Sequence, residues 1–83
     1  MSLKKFEIIN ELSSKYGITI KSVRALNSIL VSMGIIEKIG GYWSTTPKGL
    51  KYTIYNTTQV LNADLWHEEI VSAIAKYLAK KLQ

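Results

Sequence analysis

Between Ile20 and Thr46 the chain switches periodicity in a way that few folds accommodate. A helical apolar spacing stops at Gly34, and two short β-branched and aromatic runs follow, parted by Gly40-Gly41. Ile20, Val23, Leu26, Leu30 and Met33 fall on one side of a 3.6-residue helix, and the glycine after them supplies the left-handed residue on which helices end. Residues 35–39 and 42–45 are joined by two glycines, which tolerate the positive φ that a two-residue hairpin turn requires. This register sets Ile39 opposite Tyr42 and Lys38 opposite Trp43. The pattern predicts a mainly α domain with a small β-hairpin, an α+β architecture.

The flanks extend the same plan. Ser2 is the expected cap of a first helix, A, over residues 3–16, with Ile8, Ile9, Leu12 and Tyr16 on one face and Gly17 as its stop. Thr19 is the expected cap of the second helix, B, so residues 17–19 read as the short glycine-containing turn of a helix-turn-helix. Thr46-Pro47 looks like a cap with proline at the first helical position, predicting a short helical turn toward Tyr52 and then an irregular or extended stretch to Leu61. Asp64, Glu68 and Glu69 precede Lys76, Lys80 and Lys81 along a last segment, the order that complements a helix dipole, and place helix C at 63–82. With no repeat, low-complexity tract or linker, residues 1–83 read as one domain.

A chain of 83 residues buries only roughly 60–65% of its unfolded surface, so its core is thin. There is no cysteine, which removes disulfides and thiolate metal sites and fits a reducing, cytoplasmic setting. No apolar run approaches the roughly 18 residues of a membrane span, and residues 1–11 are amphipathic and acid-bearing, unlike a signal peptide. The net charge is +5, and it is unevenly placed. Residues 1–63 carry the whole surplus, whereas residues 64–83 balance Asp64, Glu68 and Glu69 against three lysines. A one-sided basic field attracts polyanions, although a net charge of this size also serves solubility alone.

On a wheel of helix B, Lys21, Arg24, Ala25, Ser28 and Ser32 lie opposite the apolar stripe, within about 100° of one another. Small residues permit close approach to a DNA groove, and Arg or Lys reaches phosphates or guanine edges. Arg24 is the only arginine and sits in the N-terminal half of the helix, where recognition helices meet bases. The same face also fits a merely solvated helix. Asn27 lies on the apolar side and is expected to be a buried hydrogen-bonding residue. In the hairpin, Lys38 and Tyr42 are the expected backbone contacts, with Lys48 and Lys51 extending them, while Trp43 shares a face with Ile36 and is expected in the core.

Two apolar stripes run along helix C. Trp66, Ile70, Ala73 and Tyr77 form one, and Val71, Ile74, Leu78 and Leu82 form the other, which predicts either a homodimer interface or a helix deeply embedded in its own domain. An enzyme is not expected. His67-Glu68 begins like a zinc-protease helix, yet Val71 stands where the second histidine belongs and the chain has no other histidine. No nucleophile with a base, phosphate-cradling loop, metal site or cofactor motif is present in the sequence.

Leu26-Asn27 with Leu30, then Gly34-Ile35-Ile36, then Trp43, Thr46 and Gly49 resemble the winged-helix module of bacteriophage antirepressor C-terminal domains and small phage regulators. The likeness spans residues 7–49, and Trp66 with Ile70 is similar to a tryptophan-bearing terminal segment in such proteins. It implies a winged helix-turn-helix fold, a phage or prophage setting, and a role in binding double-stranded DNA or interfering with a repressor. Ile9 departs from the pattern, standing where the first motif helix often has a small residue. Too few residues precede helix A for the extra helix that normally comes first, so helix C is expected to return and fill that place. The combined expectation is a transcription regulator that contacts DNA through Lys21, Arg24, Ser28, Lys38 and Tyr42. The competing expectation is a non-catalytic module that docks a host or phage protein through the hairpin or helix C.

Overall fold

The computed structural model describes residues 2–54 and 65–81. The element order is β1 (Ser2–Leu3), α1 (Lys5–Tyr16), α2 (Val23–Ser32), β2 (Ile36–Ile39), β3 (Tyr42–Thr45), a 3-10 turn (Leu50–Tyr52), β4 (Thr53–Ile54), β5 (Leu65–His67) and α3 (Glu69–Lys81). It is an α+β domain whose described residues include three helices, an antiparallel hairpin of β2 and β3, and a small three-stranded sheet ordered β1-β5-β4. The α1 helix packs against both α2 and α3, and the end of α2 leads directly into β2.

The core is built where these elements converge. Ile8 and Leu12 of α1, Leu26 and Leu30 of α2, and Ile70 and Ile74 of α3 are fully buried, and Ile35 with Ile36 brings the root of the hairpin into the same cluster. Trp66, 1% exposed, sits on the central strand β5 between Leu3 of β1 and Thr53 of β4. Among the described residues its indole nitrogen has no hydrogen-bond partner, and burial of its large ring offsets the cost of an N–H without one.

Each helix begins later than its local pattern predicts. The Ser2 cap does not form, because Ser2 and Leu3 pair with His67 and Trp66 of β5. Instead α1 starts after Lys4, whose backbone N–H donates to the Glu7 carboxylate at 2.9 Å. Thr19 does not cap α2 either: Ser22 does, accepting from the Ala25 N–H at 3.1 Å. The intervening linker has no regular secondary structure, and Ile18 and Ile20 turn inward while Thr19 and Lys21 turn out, a two-residue alternation rather than the spacing of a helix. Val23, expected in the apolar stripe, is consequently rotated outward and 41% exposed. The start of helix C at residue 63 is likewise overturned, since residues 65–67 form β5 and the helix starts at Glu69. The expected stretch to Leu61 falls largely outside the described residues; its first two, Thr53 and Ile54, form β4.

The hairpin follows its sequence. Ile39 faces Tyr42 and Lys38 faces Trp43, and Gly40 and Gly41 both adopt positive φ, at 56° and 84°. At its foot, Thr46 makes the bonds that fix the hairpin to α2. The Thr46 hydroxyl donates to the carbonyls of Gly34 and Ile35 and accepts from the Gly49 N–H at 3.1 Å, while the Thr46 N–H donates to the Ile35 carbonyl at 3.0 Å. This is the predicted Thr-Pro cap, turned to a tertiary use. Gly49 sits so close to the Ile35 backbone that a Cβ there would lie 2.2 Å from its carbonyl oxygen. Gly49→Ala must therefore push the turn away from the hairpin root, and overpacking of this kind costs about 1–3 kcal/mol. Urea unfolding is expected to show that loss as a lower midpoint with an unchanged slope.

Candidate nucleic-acid interface

Two groups of side chains carry the expected contacts, one at the start of α2 and one on the hairpin. Arg24 is the second residue of α2, and the first turn contains no acidic residue, so its guanidinium adds to the positive end of the helix dipole. Lys21 and Arg24 are both exposed, and neither forms an ion pair within the described residues, where Lys15–Glu11 at 3.6 Å is the one salt bridge. Lys21 lies in the linker ahead of the Ser22 cap, not on the helix, which corrects its expected place on the wheel. One turn after Arg24, the exposed Ser28 hydroxyl donates to the Arg24 carbonyl at 3.3 Å, and Ser32 repeats the bond to Ser28 at 3.1 Å. These hydroxyls spend their proton on the helix and keep lone pairs to offer a visiting donor. Ala25, expected on the outer face, is half-buried.

Asn27 is buried as expected. Its side-chain oxygen accepts from the Lys5 ammonium at 2.6 Å, so the residue ties α2 to the start of α1.

On the hairpin, alternation separates the two expected contacts. Lys38 shares a face with Ile36, Trp43 and Thr45, whereas Tyr42 stands with Glu37, Ile39 and Ser44 on the other. The Lys38 ammonium lies 5.4 Å from the centroid of the Trp43 ring, a cation–π contact worth about 0.5–1 kcal/mol at an exposed site. Trp43 itself is half-buried and packs against the core cluster. Tyr42 is 79% exposed and its cross-strand neighbour Ile39 is 58% exposed, so the outer face of the tip carries an uncovered aromatic–aliphatic pair. The two-glycine register already placed these residues opposite one another; what the sequence left unread was that no other described residue covers the pair. Lys48 and Lys51 are exposed, and the Lys51 ammonium lies 5.0 Å from the centroid of the Tyr52 ring.

The apolar surfaces of α3 divide differently from the two expected stripes. Val71 and Ile74, assigned to a dimer interface with Leu78 and Leu82, are 4% and 0% exposed and belong to the domain's own core, so they have no surface to give a second copy. Leu78 is half-buried against that core, and Leu82 lies outside the described residues. Trp66 leaves the helix altogether. His67 is exposed on β5, and among the described residues no group of three or more His, Cys, Asp or Glu side chains could hold a metal ion. No helix among them is long and apolar enough to cross a membrane.

No protein-family model, curated protein or solved structure matches this chain. The site must therefore be read from its own chemistry. Placing Ile74 inside the fold has a direct consequence: Ile74→Ala is expected to cost about 2–5 kcal/mol through the cavity it leaves. The fall in thermal midpoint should be the same at low and high protein concentration, whereas loss of a dimer contact would make it concentration-dependent.

Proposed function

We propose that this chain is a winged-helix-like DNA-binding module that sets the N-terminal half of α2 in the major groove of duplex DNA and brings the hairpin tip to the backbone. The observation that carries this reading is Arg24: an exposed arginine without an acidic partner among the described residues, at the second position of a helix whose later exposed residues, Ser28, Val31 and Ser32, are small and uncharged. Lys21 precedes it in the linker and adds a phosphate contact at the positive helix end. Lys38 and Tyr42, on opposite hairpin faces, straddle the backbone instead of lying side by side on it. The phage regulatory setting belongs to the same proposal and rests on the resemblance of Gly34, Trp43, Thr46 and Gly49 to the phage module.

A second reading has its own support. The exposed Ile39–Tyr42 pair is the kind of apolar patch that docks on a protein, with the basic face idle. Salt separates the two. A DNA-binding module that neutralises several phosphates loses affinity for random duplex steeply between low and moderate salt, with a log–log slope of about −0.9 per phosphate contact. A protein-docking module shows little affinity for duplex even at low salt, and that result in an anisotropy titration would sink the DNA reading. Within the DNA reading, Arg24→Ala is expected to weaken binding by about 1–3 kcal/mol with relaxed preference at one base position if the arginine reads a base, and uniformly across sequences if it holds a phosphate.

A further inference from the structure

A cleft of about 680 Å³ opens between the α1–α2 linker and α3. Ile18 and Ile20 of the linker, Ile29 of α2 and Leu78 of α3 form its hydrocarbon walls. All four are only partly buried, packed against the core on one side and bare toward the cleft on the other. The space exists because α3 presents Ala75 and Ala79, one turn apart, where larger side chains would have closed onto the isoleucines. Its volume lies within the roughly 300–1,000 Å³ of small-molecule sites, which are likewise mostly apolar with a few polar groups at the edge.

Those edge groups select the occupant. Among the described residues, the polar side chains lining the cleft are Tyr16, Thr19 and Lys81, and no carboxylate is among them. Lys81 is exposed in the last turn of α3 and carries the one formal charge of the lining among the described residues; its ammonium lies 5.9 Å from the centroid of the Tyr77 ring beside the cleft, so it meets a head group by turning from that ring, while the phenol and hydroxyl supply donors without charge. Among the described residues a cation would meet an ammonium and find no counter-charge, whereas an anion finds both the ammonium and the hydroxyl donors.

We propose that this cleft binds a small amphipathic anion, an alkyl or aryl-alkyl carboxylate whose hydrocarbon lies between the isoleucines and Leu78 and whose head group meets Lys81. The proposal is independent of nucleic-acid binding. Burial of the ligand's chain covers the half-exposed aliphatic walls and supplies the affinity, and Lys81 supplies the preference for charge sign.

The probe is decanoate below its micellar concentration, titrated while backbone amide shifts are followed by NMR. Saturable shifts are expected at Ile18, Ile20, Ile29 and Leu78, with much weaker binding of decyltrimethylammonium. Lys81→Gln should lower decanoate affinity about fivefold, as an exposed ion pair allows, and leave 1-decanol unaffected. Ala79→Phe, at an exposed position, should fill the cleft and abolish binding while the circular-dichroism melt shows the domain still folded. Shifts that do not saturate overturn the proposal, as do equal affinity for the cation, a Lys81→Gln protein that binds decanoate as well as the parent, or a folded Ala79→Phe protein that retains binding. The cation comparison and Lys81→Gln decide the matter even if Ala79→Phe does not fold.

Discussion

The hydroxyl of Thr46 joins three pieces of chain that would otherwise meet only through side-chain packing. It bonds the carbonyls of Gly34 and Ile35, where α2 hands over to β2, and receives the N–H of Gly49 from the turn beyond β3. Buried or half-buried carbonyls left unmade are expensive, so this single side chain satisfies groups at the point where a helix ends and a hairpin begins. The close seat of Gly49 against Ile35 follows from it. With the root of the hairpin clamped to the end of α2, the position of Lys38 and Tyr42 relative to Arg24 is set by hydrogen bonds instead of by a flexible joint.

That clamp also accounts for three of the residues on which the proposed phage-module reading rests. Gly34, Thr46 and Gly49 act on one another: a left-handed turn at φ 76°, a hydroxyl bonding its carbonyl, and a glycine that lets the backbone come close. They are residues of architecture. None of them touches a ligand by necessity, so they account for a hairpin held to a helix and not for any particular partner. The argument for DNA rests on Arg24 and Lys21, whose charges are left without acidic partners among the described residues, and the argument for a small anion rests on the gap left by Ala75 and Ala79.

Much of the hairpin and the centre of each helix was legible in the sequence. The Gly40-Gly41 register, the stops at Gly17 and Gly34, the burial of Asn27, the inward side of the half-buried Trp43, and the exposure of Lys21, Arg24, Ser28, Lys38 and Tyr42 all follow from local rules of period and turn chemistry. The beginnings of the helices did not. Ser2 and Thr19 are chemically good caps, yet Ser2 is taken by a strand whose partner is more than sixty residues away and Thr19 sits in the linker ahead of α2. Trp66 matched the helical stripe of Ile70 and Ala73, but it is held on β5 by neighbours at Leu3 and Thr53. Apolar residues spaced three and four apart fit the end of a strand followed by a helix as readily as they fit one long helix.

The sequence by itself determined what depends on neighbours along the chain: the two-glycine turn, the helix stops, the apolar period of α1 and α2, and the placing of the charge surplus ahead of residue 64. Tertiary structure decided what depends on residues brought together from afar. It assigned Val71 and Ile74 to the domain's own core, drew Ser2–Leu3 and Leu65–His67 into one sheet, and left a cleft beside Ala79. The physical reason is that an apolar side chain gains by losing contact with water whichever surface covers it, so the pattern can say that a residue will be covered but not by what.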